Sequence, residues 1–256
     1  MTPYDSLPKF FILDVYSTGV AAMPSDVQFE RLVQTSIKSG PKEAVTAVSR
    51  TVRSGDVAKW VFDKVFAFSA LLFLAPFILV IVIVILIEDG RPVFFRHKRV
   101  GKDGKPFHCL KFRTMYRDAP EQLARILATD PVARAEWEAN QKLSDDPRIT
   151  CVGEFFRKTS LDELPQFWNV LRGEMSVVGP RPIVEDEARH YGEHYADYLS
   201  VKPGITGLWQ VNGRSNTTYP ERVAMDCDYV RRRSLQLDLQ IILQTVRAVL
   251  RREGSV

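Results

Sequence analysis

The run Arg157-Lys158-Thr159-Ser160-Leu161-Asp162-Glu163-Leu164-Pro165-Gln166 holds the residue types that phosphoryl chemistry needs. Asp162 offers a carboxylate nucleophile towards phosphorus. The adjacent Glu163 offers a ligand for a divalent cation, because Mg2+ at phosphate sites takes one or two carboxylates together with substrate oxygens. Arg157, with Lys158 beside it, supplies charge to neutralise a diphosphate. Locally the same run also reads as a capping box, Ser160 to Glu163, opening a helix. Such a cap would set Asp162 in a first turn, where free N–H groups and the helix dipole favour the ionised carboxylate.

Two further motifs carry cations. In Gly179-Pro180-Arg181-Pro182 a pair of prolines fixes the backbone around Arg181, so its guanidinium is aimed with little entropy lost. Read alone, the motif is a rigid turn with an exposed arginine. Lys111-Phe112-Arg113-Thr114-Met115 is either a basic wall of the same site or an ordinary strand end with two solvated cations. His190 and His194 stand four apart, but without a third ligand or an HExxH pattern they read as surface histidines. Asp145-Asp146 is an acidic pair of the kind that holds metal in glycosyltransferases, and SDDPRIT is equally a good turn. There is no P-loop, GxGxxG or GxSxG.

These residues need elements to hold them and a place to work. Val65–Ile87 runs 23 positions without a charge, enough to reach across a bilayer core of about 30 Å. It starts too late for a signal peptide. Pro76 divides the run into eleven residues on each side, each half about 16 Å long as helix. The 27 residues before it carry six basic and three acidic side chains, and the 27 after it eight and three. Basic flanks favour the cytoplasm, so a helix that enters, bends at Pro76 and returns satisfies both, while a kinked spanning helix satisfies one.

The rest reads as a mostly helical α+β protein. Residues 1–55 form a poorly ordered arm, 56–90 the proline-broken membrane helix, and 91–256 a small cytosolic catalytic domain. Phe94 to Phe112 forms a β-hairpin turning at GKDGK. Residues 118–143 make two helical pieces split at Pro131, GEFFRKTS a loop before a helix, 183–199 an amphipathic helix, and VKPGITGLWQVNGRS a Gly-rich loop. In the helical C-terminus, Leu235, Leu239, Ile242, Val246 and Val249 form one apolar stripe, facing either the core or the lipid headgroups. Cys109, Cys151 and Cys227 read as single reduced thiols. A net charge of +4 suits anionic lipid or a phosphorylated substrate and gives no particular sign of nucleic acid.

KFRTM, DPRIT, RKTSLDELPQFWNVLRGEMSVVGPRP and KPGITGLWQVNGR follow in this order after the proline-broken helix. On these motifs residues 56–250 resemble the bacterial sugar transferases, the monotopic phosphoglycosyl transferases that prime exopolysaccharide and O-antigen assembly. The resemblance implies a small form with an additional N-terminal arm. It implies transfer of a sugar 1-phosphate from a UDP-sugar, expected to be a UDP-hexose, to undecaprenyl phosphate. Mg2+ would be required, UMP would leave, and an aspartyl-phosphosugar would form. Asp162 then matches the nucleophile and Glu163 its metal-binding partner. Arg157 matches a phosphate-contacting arginine, and Arg181 an arginine at the nucleotide side. Lys111 and Arg113 match the basic motif near the site, and Pro76 the break in a re-entrant helix.

The resemblance also implies contact with membrane lipid, a homodimer among the expected states, and an inner-membrane protein working on the cytoplasmic face. Two other readings stay open: a metal-dependent glycosyltransferase built on Asp145-Asp146 and releasing UDP, and a non-enzymatic membrane-tethered scaffold.

Overall fold

The computed structural model describes residues 54–140, 143–212 and 217–250. All of these belong to one of two units, Arg53–Val256. The arm expected over 1–55 falls almost entirely outside the described residues.

Helix α1, Ser54–Asp89, is about 54 Å long along its path at 1.5 Å per residue and continues through Pro76, so the break expected there does not form: the proline is carried inside the helix. Among the described residues it alone is long and apolar enough to cross a membrane. Its ends are tied to the rest of the chain and its middle is not. Near the start, Asp63 and Ala67 are buried; near the end, Ile81 and Ile85 are. Between 68 and 80 no residue is buried, and Phe73 is 75% exposed.

After α1 come β1 (Phe94–Val100) and β2 (Pro106–Phe112), paired antiparallel from Phe94 opposite Phe112 to Val100 opposite Pro106. The turn between them carries Asp103 and Gly104 at positive φ, as the sequence GKDGK suggests. Helices α2 (Ala119–Thr129) and α3 (Pro131–Asn140) follow, split at Pro131 as expected. Helix α4 (Cys151–Thr159), a 3-10 turn (Leu161–Glu163) and α5 (Gln166–Arg172) carry the acidic motif. Strand β3 (Ser176–Val178) pairs in parallel with β4 (Gly204–Thr206). Between them run 3-10 turns and the short α6 (Tyr195–Leu199). Helices α7 (Leu208–Val211), α8 (Tyr219–Arg232) and α9 (Leu235–Leu250) complete the chain.

Several sequence expectations are corrected. GEFFRKTS is a helix, not a loop, because Thr150 rather than Ser160 supplies the N-cap, its hydroxyl accepting from Gly153 N at 2.9 Å. Ser160 ends that helix in the left-handed conformation, φ 57°, and its side chain makes no cap bond, so the capping box does not form. Residues 183–199 are two 3-10 turns and a five-residue helix, interrupted at Gly192 with φ 50°. The Gly-rich segment contains β4 and α7 rather than a plain loop. On α9 the inward face is Asp238, Ile241 and Ala248; Leu239 and Val246 of the expected stripe lie outside it, 49% and 53% exposed. The three cysteines are free thiols, as read from their spacing.

The core has three parts. Ala67, Phe107, Cys109, Val170, Val178 and Ile241 join α1, the hairpin, α5, β3 and α9. Val100, Ile183, Tyr191, Tyr198 and Val223 form the second. Ile81, Ile85, Phe112 and Phe156 pack the end of α1 on β2 and α4. The acidic turn is held between the first and third parts: Leu161 and Leu164 pack on the third, and Val170 and Leu171 of α5 on the first.

Candidate active site

Each wall of the site is set by a backbone approach that only certain residues permit. Gly153 lies so close to Thr114 that a Cβ would stand 2.2 Å from its carbonyl oxygen. The same junction holds Thr150 N on Thr114 O at 3.1 Å, and one turn further Arg157 Nε donates to Thr114 Oγ1 at 2.8 Å. Helix α4 is also bound to the end of α1, where Glu88 accepts from the Thr150 hydroxyl at 2.9 Å and from Val152 N at 3.1 Å.

On the other side Asn169, fully buried, fastens α5 to β2. Its Oδ1 accepts from Leu110 N at 3.0 Å, and its Nδ2 donates to His108 O at 2.8 Å and Glu174 Oε2 at 2.7 Å. That registers Lys111 against the acidic turn. The Pro-Arg-Pro turn is set by a third approach. A Cβ on Gly204 would meet Gly179 N at 2.1 Å, and one on Gly207 would meet Gly179 O at 2.4 Å. Without side chains there, Gly204 N reaches Pro180 O at 2.8 Å and Gly179 N reaches Thr206 O at 2.9 Å.

These walls bring Asp162, Glu163 and Lys111 together. Lys111 Nζ stands 2.6 Å from Glu163 Oε1 and 3.4 Å from Asp162 Oδ2. Burial, with the charge of Glu163 beside it, raises the Asp162 carboxyl, against the pull of Lys111 and Arg157. Burial would raise Glu163 too, but Lys111, Arg181 and a hydrogen bond from Gln166 outweigh it and hold that carboxyl low. Burial works against the Lys111 charge, and Glu163 and Asp162 overcome it, so its ammonium is held firmly. The pair is thus unequal. Both are desolvated by burial; Glu163 is the anion that Lys111 grips more closely, and Asp162 is the carboxyl that burial pushes up. This reverses the reason expected from sequence, a helix dipole holding Asp162 ionised.

Lys111, Glu163 and Arg181 share a cavity of about 20 Å³ with Arg99, Gln166 and Gln210. Arg181 lies 5.8 Å and Arg222 4.7 Å from the centre of the Trp209 ring. Arg99 donates to Pro182 O at 3.1 Å, bracing the turn. Behind it Tyr191 donates to the buried Asp226 at 2.7 Å, and Asp226 Oδ1 has no hydrogen-bond partner among the described residues. Arg99, Gln166, Trp209, Arg222 and Asp226 were not singled out from sequence. The glycine spacing around GPRP and KPGITG was the available signal, since it marks a close crossing of two backbones.

Other sequence candidates sit elsewhere. Arg113 Nη2 donates to Asp89 O and Gly90 O at 3.1 and 2.8 Å and pairs with Asp89 Oδ2 at 3.1 Å, closing the C-terminal end of α1. Pro76 lies in the exposed stretch of α1. Asp146 is clasped by Arg148 through both oxygens, at 2.7 and 2.6 Å, so its carboxylate is already engaged. The His190 ring lies tilted against Tyr219, 4.4 Å between centres, and His194 lies 3.8 Å from Asp197, in separate surroundings.

A metal fits the acidic pair by donor chemistry, since carboxylate oxygens are the hard ligands Mg2+ prefers. Glu163 and Asp162 would hold it, sharing Glu163 with Lys111, and donor phosphate oxygens would complete the shell.

Comparison with known proteins places residues 54–252 in the pattern of the bacterial sugar transferase family. The chain is 49% identical over 197 residues to the UDP-galactose-lipid carrier transferase of Erwinia amylovora, covering 77% of this chain and 41% of that protein. It is 49% identical to the undecaprenyl-phosphate galactose phosphotransferase of Salmonella typhimurium, covering 79% and 42%. The chain therefore spans about two fifths of the length of these two relatives. The exopolysaccharide production protein ExoY of Sinorhizobium fredii is 44% identical, covering 86% of this chain and 100% of that protein.

Proposed function

The chain belongs to the bacterial sugar transferase family, and from that premise we propose that it transfers a sugar 1-phosphate from a UDP-sugar to undecaprenyl phosphate, initiating exopolysaccharide or related glycan assembly. The observation that carries this is the carboxylate pair itself, Asp162 and Glu163 on one turn, both facing Lys111, at 3.4 and 2.6 Å.

In this reading an Asp162 oxygen attacks the phosphorus that bears the sugar. The bond to the bridging oxygen breaks, and that oxygen departs with its electron pair as part of UMP. An oxygen of the polyprenyl phosphate then attacks the aspartyl-phosphosugar, releasing Asp162 and forming the sugar–diphospholipid. Lys111 keeps Glu163 oriented and lessens the charge an incoming diphosphate meets. Arg157, held by Thr114, lies beside Asp162 and takes a phosphate, while Arg181 takes the nucleotide side. Mg2+, when bound, neutralises diphosphate charge.

The acceptor keeps its phosphate at the headgroup plane and its tail in lipid, so the enzyme must work at a membrane surface. Both ends of α1 are bound to the one domain: Asp63 accepts from Val177 N at 3.1 Å, and Glu88 accepts from Thr150 and Val152. That supports a helix that dips into one leaflet around Pro76 and returns, and the basic flanks on both sides of the apolar run place the site on the cytoplasmic face of the inner membrane in this reading. A UDP-releasing glycosyltransferase on Asp145-Asp146 gains no support, because Asp146 is occupied by Arg148.

The test is nucleotide release by the protein in nanodiscs with Mg2+, undecaprenyl phosphate and a panel of UDP-sugars. UMP with one donor, lost in Asp162→Asn, is the expected result. UDP instead would move the reaction to ordinary glycosyl transfer, and no nucleotide from folded protein with any donor would remove the proposal.

A further inference from the structure

A second cavity, of about 420 Å³, shares no residue with the site around Glu163. Its walls come from the first turns of α1, the hairpin turn, and the junction of α8 and α9. The volume lies in the range of small-molecule sites.

Its charges do not balance internally. Lys59 is engaged by Asp63 and Asp238, each at 2.9 Å, and Arg233 by Asp56 at 3.1 Å. Lys102 and Lys202 also line the cavity and have no ion-pair partner among the described residues. A third lysine, Lys64, approaches Lys202. A point above Gly173 lies 3.5 Å from Lys64 Nζ and 3.6 Å from Lys202 Nζ. Burial lowers the Lys202 pKa, and Lys64, Lys102 and Lys59 together lower it by more than Asp63 raises it.

The mouth is apolar. Trp60 and Leu235 line it, 53% and 36% exposed, and the exposed Val57 and Val61 stand on the same stretch of α1. Trp60 and the lysines thus sit where the apolar helix begins, the level at which aromatic and basic side chains meet headgroups.

We propose that this cavity is a binding site for an anionic phospholipid, separate from the reacting acceptor. The headgroup phosphate sits between Lys102 and Lys202, and the acyl chains leave over Trp60 and Leu235. The proposal rests on the membrane-associated reading above. A free phosphate would satisfy the two lysines but leave the apolar mouth unused, so the lipid is the better match.

The experiment is native mass spectrometry of the full chain released from phosphatidylcholine nanodiscs with or without phosphatidylglycerol. The wild type should retain phosphatidylglycerol. Lys102→Ala and Lys202→Ala should each lower its occupancy about fivefold, the worth of one lysine at an anionic surface. Lys98→Ala/Lys105→Ala, which removes two charges outside the cavity where each cavity variant removes one, should retain it. Lys202→Gln, with circular dichroism, guards against a folding defect.

Unchanged occupancy in the cavity variants, or equal loss in the control pair, would overturn the site. Displacement of the lipid by inorganic phosphate alone would overturn the assignment to lipid. Protein that does not enter nanodiscs at all would instead count against the membrane reading. Short-chain phosphatidylglycerol in detergent would then test the cavity by itself, and no difference between the variants and wild type there would overturn it.

Discussion

At the level of single residues, one lysine faces two neighbouring carboxylates, and pH is the way to read its effect on them. Lys111 favours the ionised form of both Asp162 and Glu163, so removing its charge raises their pKa values. A nucleophilic Asp162 must be ionised. Lys111→Met should therefore move the acid limb of kcat/KM upward by about one pH unit or more, the usual effect of one adjacent charge. A uniform loss of rate with an unmoved limb would show that Lys111 serves binding alone. Asp162→Asn should lower UMP release by at least ~10³-fold, since the nucleophile's chemistry has no substitute in an amide.

Asp226 supplies a contrasting case with stability as the readout. Burial pushes its carboxyl up to about 7, against the Tyr191 hydroxyl and Arg181. In the unfolded chain it titrates near ~3.9. Between those values the folded protein holds a proton that the unfolded chain has released, so stability falls as pH rises through the window. Asp226→Asn keeps a hydrogen-bonding partner for Tyr191 and removes that titration. Its Tm relative to wild type should rise between pH values near 4 and near 7, and a constant difference across the range would refute the assignment.

At the level of elements, the local code and the tertiary code disagree where the site is built. The hairpin, the split at Pro131 and the helical C-terminus were legible because turn residues and periodicity act within a few positions. The Ser160-to-Glu163 box was a false signal. The pattern is local, but Thr150 had already started a helix ten residues earlier, and its ending in a left-handed Ser160 left no free N-terminus to cap. The parallel β3–β4 pair was hidden for another reason: three-residue strands carry almost no pattern, and their pairing depends on Gly179, Gly204 and Gly207. The site residues Asp162, Glu163 and Lys111 were found from their types, while Arg99 and Asp226 come from segments with no local chemical motif, and Trp209 sits in the KPGITGLWQVNGR run without a chemistry of its own to mark it. Arg113 had the right type, but the structure turns it to the end of α1. Gly153 is where element and chemistry meet. Gly153→Ala forces α4 away from Thr114, which should cost about 1–3 kcal/mol as overpacking. It also displaces Arg157, so kcat/KM should fall further than in Thr150→Ala, which loses a cap worth about 1 kcal/mol without blocking the approach. Denaturation midpoints and UMP release on both variants give the comparison, and equal activity losses at equal stability would separate Arg157 from the chemistry.

For the whole molecule, the decisive question is how α1 meets the bilayer. The unburied stretch, residues 68–80, is about 20 Å long as helix, whereas a bilayer core is about 30 Å thick. To span it, the helix would have to draw anchored turns into lipid. At the leading end that breaks the Lys59–Asp63–Asp238 cluster and the Asp63 bond to Val177 N. At the trailing end it frees Glu88 and the Asp89–Arg113 pair, and buried charge left without its partner is costly. A dip into one leaflet keeps both sets. The exposed Leu239, Leu243 and Val246 on α9 form a second apolar surface, which a polar surrounding would leave without cover. Single cysteines placed at Val57 and at Arg91, in a Cys151→Ser background, test the topology directly. A membrane-impermeant maleimide should label both from inside-out vesicles and neither from intact spheroplasts. Labelling of the two positions from opposite sides would make α1 a spanning helix, and would require one of its two anchored ends to let go of the domain.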